Sequence, residues 1–193
     1  MSRTRNDYFK DKTGESLDDM YQKYHPQILT TFEEEVPKYW GKKWQANNTI
    51  GNLRMVLLHR PGKEFLSVGK PTPWLPHLSS LGAWRMSFKP NLDELIQHHE
   101  NLVKAYKDEG VEVVIRKPDN NDPPYHVKAI YTDDVCHPAV WGQVILRMYD
   151  HIRRGEEVQT FQTLAEIGCP VVGMIVSNGM AEGGPIGWLD EKH

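Results

Sequence analysis

The 193-residue sequence predicts an α/β fold assembled from repeated ββαβ modules, and three observations lead there. Two stretches, 91–115 and 156–176, each run an amphipathic helix into a glycine stop and then straight into an apolar strand, ending Gly110-Val111-Glu112-Val113-Val114 and Gly168-Cys169-Pro170-Val171-Val172. Between 128 and 148 two strands follow each other with no helix between them, which a doubly wound sheet would require. Composition is that of an ordinary globular chain, 39% hydrophobic and 25% charged, and the length suits one domain with a sizeable core.

Residues 1–50 are polar and dotted with aromatics (Tyr8, Phe9, Tyr21, Tyr24, Phe32, Tyr39, Trp40, Trp44), and read as an N-terminal extension that wraps a body or a partner. A helix from Asp18 toward Phe32 is interrupted at His25-Pro26, because a residue before proline is pushed out of the α region. Residues 51–193 form the body. Leu53 to His59 is a strand closed by the turn Arg60-Pro61-Gly62. Residues 66–90, with Pro71, Pro73, Pro76 and Pro90 among Trp74, Trp84 and Phe88, read as one long loop of the functional or mobile kind. Asn91 offers an N-cap with Glu94 three residues on. Leu92, Leu95, Ile96, His99, Leu102, Val103 and Tyr106 recur at helical spacing, and Gly110 stops the helix. Strands follow at Val111–Ile115, Lys128–Tyr131 and Gly142–Met148, then a helix from Glu156 to Ile167 and a strand from Pro170 to Val176.

Several classes are excluded by charge and patterning. A net charge of -3 from 23 basic and 26 acidic residues gives no electrostatic case for nucleic acid or an anionic membrane. No apolar run approaches the ~18–20 residues that span a bilayer. The basic start has no apolar segment behind it, so a secretory signal is not expected. Two cysteines, Cys136 and Cys169, make no disulfide framework and fit a reducing compartment, with the cytoplasm as the expected location.

The ordered set Tyr131-Thr132-Asp133-Asp134, Met148-Tyr149, Arg153-Arg154-Gly155-Glu156 and Glu182-Gly183-Gly184 resembles the guanidine-modifying superfamily of arginine deiminases, dimethylarginine dimethylaminohydrolases and glycine amidinotransferases. The deiminase pattern is aromatic-Thr-Arg-Asp, a hydrophobic hairpin ending in Met, Arg-Arg-x-Glu and a later Glu-Gly-Gly-Asp. The resemblance runs over roughly 53–191 and leaves 1–50 unexplained. It implies a five-module α/β propeller, the pentein fold, of which 53–193 would hold about two and a half modules. It also implies covalent catalysis by a cysteine and a histidine lying in the part of the family fold that this chain lacks.

The resemblance assigns roles residue by residue. Asp134 and Glu182 match the two carboxylates that hold the substrate guanidinium, a planar cation best gripped by bidentate acceptors. The plainer reading of each is a turn carboxylate. Arg153 matches the arginine that clamps the substrate carboxylate, against a solvated charge run before a helix. Glu156 fits the helix dipole as a structural acid. Gly183 and Gly184 would let backbone approach a ligand. Two departures stand out: Asp133 replaces the deiminase arginine, and Pro185 replaces the aspartate after the glycines, removing a carboxylate and a backbone donor.

Cys136-His137 invites a nucleophile–base reading, but neighbours on an extended chain face opposite ways. Cys169 reads as a small core residue. His25, His59, His77, His98, His99, His126 and His151 show no metal-ligand spacing, so neither metal nor cofactor is expected. The expectation is therefore a subunit or fragment of a guanidine- or amidine-modifying enzyme, hydrolase or amidinotransferase. A second polypeptide or missing C-terminal part would complete the propeller and carry Cys and His. The substrate would be a small guanidino, amidino or amide compound. A non-catalytic half-propeller serving as an interaction or regulatory subunit is the alternative.

Overall fold

The computed structural model describes residues 14–24 and 30–189. Tyr8, Phe9, the His25-Pro26 break and Asp190-Glu191 lie outside them. The chain divides into two compact units, 1–35 and 36–193. In the first, helix α1 spans Leu17–Tyr24. Helix α2, Phe32–Tyr39, begins in the first unit and ends in the second, and opens on a reciprocal cap: Thr31 N–H donates to the Glu34 carboxylate (2.7 Å) and Glu34 N–H donates to Thr31 Oγ1 (3.3 Å).

The second unit holds two small sheets. Strands β1 (Met55–Leu58) and β2 (Glu112–Ile115) pair in parallel, with Met55 opposite Glu112 and Leu58 opposite Ile115, and helix α3 (Leu92–Asp108) makes the crossover. Strands β3 (Cys136–Ala139), β4 (Gly142–Ile145) and β5 (Val171–Met174) form the other sheet in that order. β3 and β4 are antiparallel; β4 and β5 are parallel and joined by helix α4 (Glu156–Glu166). Residues 136–174 thus make one ββαβ module, and 55–115 a βαβ unit.

Both helices end alike. Gly110 (φ +77°) and Gly168 (φ +72°) are left-handed. Gly110 N–H donates to Lys107 O and Val111 N–H to Tyr106 O; Gly168 N–H donates to Ala165 O and Cys169 N–H to Leu164 O. Each is a Schellman stop that needs glycine and aims the chain back into a strand, which is the physical content of the sequence repeat. Asn91 caps α3, its side chain accepting from the N–H groups of Asp93 and Glu94.

The strand expected at Lys128–Tyr131 is instead a run of turns. Ala129 N–H donates to His126 O and Tyr131 N–H to Lys128 O, both at 3.0 Å. The strand before β4 is β3, which carries Pro138. Proline is tolerated there because β3 is an edge strand, with no ladder bond to lose on its outer side.

Two apolar clusters fill the interior. One is made largely by the long loop: Phe65, Val68, Leu75, Leu78 and Trp84 pack with Tyr125, Val127 and Ile152. Trp84 is fully buried and its indole N–H donates to Leu78 O at 2.8 Å, so this loop carries a core of its own. The other joins Val36 and Trp44 to Cys136, Ile145, Leu164 and Cys169. Among the described residues no helix is long and apolar enough to cross a membrane.

Candidate functional site

β4 and β5 run parallel and β3 runs antiparallel to them, so the exits of β4 and β5 and the entrance of β3 share one end of the sheet. An open cavity of about 300 Å³ lies among these loops. Asp134 enters from the 3-10 turn Thr132–Asp134 before β3, and Arg153 from the 3-10 turn His151–Arg153 before α4. Glu182 comes from the loop after β5. Three of the residues assigned from sequence therefore line one cavity despite separations of up to 48 positions, from 134 to 182.

Asp134 is held at both oxygens. Oδ2 accepts from Arg153 Nη1 at 2.5 Å and Oδ1 from Gly184 N–H at 3.2 Å, and the side chain stays 25% exposed. Glu182 Oε1 accepts from Tyr149 N–H at 3.0 Å. A carboxylate offers about four acceptor positions. Asp134 therefore keeps roughly two of them free of these bonds and Glu182 roughly three.

Arg153 is placed differently from a substrate clamp. Nε and Nη2 fork onto Glu156 Oε1 and Oε2 at 2.9 and 3.0 Å, Nη2 also reaches Tyr131 O at 3.0 Å, and Nη1 holds Asp134. Four of its five N–H groups are thus engaged inside the protein, which closes it to bidentate capture of a ligand carboxylate. Burial by itself lowers the pKa of its guanidinium, but the hydrogen bonds and charges of Glu156 and Asp134 raise it overall, so it stays a cation. Glu156, the acceptor of that fork, is fully buried.

Gly183 and Gly184 approach protein, not open space. A Cβ on Gly183 would sit 1.9 Å from Asp133 O, and one on Gly184 3.2 Å from Asp134 Oδ1. Gly183 N–H donates to Asp134 O at 3.1 Å. Their smallness lets the 182–184 segment lie against the Asp133-Asp134 turn.

A second charge cluster was not legible in the sequence. Asp150 Oδ2 pairs with Arg85 Nη1 at 3.3 Å and Lys128 Nζ at 3.8 Å, and all three line the cavity with Tyr131 and Tyr149. Arg85 belongs to the long loop and holds a left-handed backbone (φ +54°), an unusual conformation for a non-glycine residue. Asp150 caps the 3-10 turn of Arg153, its side chain accepting from Ile152 N–H. Cap chemistry was the one readable signal, and it marks local structure without marking a cavity.

Neither cysteine is poised as a nucleophile. Burial, with the charge of Asp133 and the nearby Cys169, pushes the Cys136 thiol up to about 12, and burial pushes Cys169 up to about 12. Cys136 lies in the apolar core, while His137 faces away and stacks on Trp188 (centroids 6.4 Å apart). Among the described residues no three His, Cys, Asp or Glu side chains are grouped to hold a metal ion.

Neither a protein-family model nor a curated protein sequence matches the chain. Solved structures do. One is a dimethylarginine dimethylaminohydrolase in adduct with 4-chloro-2-hydroxymethylpyridine (17% identity, TM-score 0.50, covering 69% of this chain and 44% of that one). Another is a histidine-to-glycine variant of such an enzyme in adduct with S-methyl-L-thiocitrulline (20%, TM-score 0.50, 69% and 46%). A third is a cysteine-to-serine variant from Pseudomonas aeruginosa complexed with citrulline (19%, TM-score 0.49, 69% and 46%). The chain spans less than half the length of these structures. Over the 69% of its length that is covered, the chain has the α/β fold of part of a dimethylarginine dimethylaminohydrolase.

Proposed function

We propose that the chain supplies the guanidinium-holding wall of a guanidine- or amidine-modifying enzyme, a hydrolase or amidinotransferase that acts on C–N bonds. The observation that carries this reading is the meeting of Asp134 and Glu182 in one cavity with acceptor positions to spare. The cavity's lining carries both signs of charge. Asp134 and Glu182 against Arg153 leave one negative charge in excess; Arg85 and Lys128 against Asp150 leave one positive. That pattern suits a ligand with a guanidinium or amidinium at one end and an anion at the other. Arg85 and Lys128 take the anion-holding role first assigned to Arg153, which becomes a positioning residue.

In this reading the nucleophile and base come from a second polypeptide or further chain that completes a five-module propeller around 51–193. A cysteine thiolate adds to the amidino carbon. The C–N bond to the leaving amine breaks as a histidine delivers the amine's proton, and water or an acceptor amine then displaces the thiolate. Support comes from the raised thiols of Cys136 and Cys169, neither of which offers a thiolate near neutrality.

The test titrates methylguanidine, agmatine and L-arginine into wild type and Asp134→Asn. Asp134→Asn is expected to lose affinity for all three while staying folded, and Arg85→Ala to weaken L-arginine alone. In the assembled enzyme an amidine-type inactivator is expected to label a cysteine outside this chain. Wild-type affinity in Asp134→Asn would reduce that residue to a turn carboxylate and favour a non-catalytic interaction or regulatory subunit.

A further inference from the structure

A train of alternating charges runs from the core to the cavity. Arg116, just after β2, brings Nη1 to 3.1 Å from Glu156 O, 3.3 Å from Thr160 Oγ1 and 3.9 Å from Glu156 Oε2. Glu156 takes the fork of Arg153 on both oxygens, and Arg153 holds Asp134. Burial is graded along the train: side-chain exposure is 0% at Arg116 and Glu156, 5% at Arg153 and 25% at Asp134. Only its last two members, Arg153 and Asp134, line the cavity. At the far end Arg116 Nε reaches His59 Nδ1 at 3.4 Å, and His59 Nε2 lies 3.2 Å from Glu64 Oε1, which ties the train to the exit of β1.

We infer that Glu156 and Arg116 are positioning residues that set the direction of the Asp134 carboxylate, an inference resting on Asp134 as the guanidinium holder. Stability alone does not call for such a train. Burying three full charges carries a desolvation cost that apolar side chains of the same volume avoid. What ionic pairing adds is direction. A fork on both carboxylate oxygens fixes the plane of the Arg153 guanidinium. Its Nη1 then has one bearing, and Asp134 Oδ2 lies on it. With Gly184 N–H holding Oδ1, the carboxylate is pinned at two points, and its remaining lone pairs face the cavity. Arg116 stops Glu156 from turning away, because it grips both the carbonyl of Glu156 and the neighbouring Thr160 hydroxyl while facing the carboxylate. The reach matters as well: Arg116 follows the β1–β2 sheet, Glu156 opens α4, and Asp134 precedes β3, so the train registers the first sheet against the cavity end of the second.

The test uses the full chain as wild type, Asp134→Asn, Glu156→Gln, Glu156→Asp and Arg116→Met, with two readouts. The first is the carboxyl-carbon resonance of Asp134 in ligand-free protein; the second is methylguanidine affinity by calorimetry, measured alongside the thermal midpoint. Glu156→Gln puts an amide donor against the Arg153 donors and is expected to move the Asp134 resonance. Affinity should fall on the order of tenfold to a hundredfold, the scale of one weakened hydrogen bond to a charged group. Glu156→Asp keeps the charge, retracts it by one methylene and is expected to give the same changes in a fold that tolerates it; Arg116→Met should give them to a smaller extent. A purely structural role would lower the thermal midpoint and leave both readouts alone. An unmoved Asp134 resonance with full affinity in Glu156→Asp and Arg116→Met overturns the positioning role. The resonance needs no ligand, so failure of wild type to bind methylguanidine, or full binding by Asp134→Asn, counts separately against the proposed function.

Discussion

The two glycines after Glu182 give the sharpest quantitative test of how this cavity is built. On Gly183 a Cβ would lie 1.9 Å from Asp133 O and 2.8 Å from Asp133 C, both backbone atoms with no side-chain freedom to yield. The 182–184 segment would have to retreat by about 1.5 Å to regain van der Waals contact. That retreat breaks Gly183 N–H to Asp134 O and Gly184 N–H to Asp134 Oδ1. One neutral and one charge-assisted hydrogen bond come to about 2–4 kcal/mol, and residual overpacking strain adds to that. On Gly184 the Cβ would meet only Asp134 Oδ1, at 3.2 Å, and a carboxylate tip can rotate away. Gly184→Ala should therefore cost under ~1 kcal/mol of stability, the scale of a mild surface substitution, but it displaces an oxygen of Asp134, the carboxylate proposed to hold a guanidinium. The expected outcome is a dissociation: Gly183→Ala loses stability, and Gly184→Ala loses methylguanidine affinity with stability nearly intact. Urea unfolding followed by fluorescence of the six tryptophans, beside a calorimetric titration, measures both. A Gly183→Ala midpoint equal to wild type, or a Gly184→Ala chain less stable than Gly183→Ala, would refute the packing argument.

Cys136 and Cys169, each pushed up to about 12, carry neutral thiols across the physiological range. Iodoacetamide at pH 8 should leave both unmodified in the native chain and label both in urea, and replacing them with serine should leave methylguanidine affinity unchanged; rapid native labelling of Cys136 would reopen it as a nucleophile. Asp119 supplies a pH prediction. Burial on its own raises its pKa, but N–H donation from Asn121, Tyr125 and His126 and the charge of His126 outweigh that and lower it below 3.8. A depressed carboxylate contributes stability that is fully present above the unfolded value and fades as pH falls through 3.8 toward the lower folded one. Acid unfolding should therefore be less steep in Asp119→Asn, and identical acid limbs in the two proteins would contradict the assignment.

What the sequence made legible were features fixed within a few residues of themselves. Asn91 and Gly110 bound α3 because a cap and a left-handed stop act locally, and Gly168 does the same for α4. The break in legibility at Lys128–Tyr131 has a tertiary cause. Buried Asp119 accepts the N–H groups of Tyr125 and His126, and the His126 ring meets Arg154 O at 2.9 Å, which commits the backbone to turns despite an apolar run. β3 was hidden by Pro138, whose lost donor matters only if the strand is central, and sheet order is not written in the strand itself.

The site divides along the same line. Residue types at motif spacing pointed to Asp134, Glu182 and Arg153, and all three face one cavity. Allocation of their hydrogen bonds was beyond reach, because an arginine has five donors and the motif does not say which carboxylates will claim them. Glu156, three residues on, takes two, and on that allocation the proposed function makes Arg153 a support and not a ligand clamp. In the proposed reading the anion-holding cations are Arg85, from a proline-rich loop, and Lys128, from the turns at 128–131, both paired with Asp150. Neither sits in a motif, because their approach depends on the long loop packing its own core around Trp84, one residue before Arg85. If the proposed function holds, loosening that core, as by Trp84→Leu, should weaken L-arginine binding before it weakens methylguanidine binding, since Asp134 and Glu182 hang from the β3–β4–β5 sheet, and equal loss of both ligands in calorimetry would refute it.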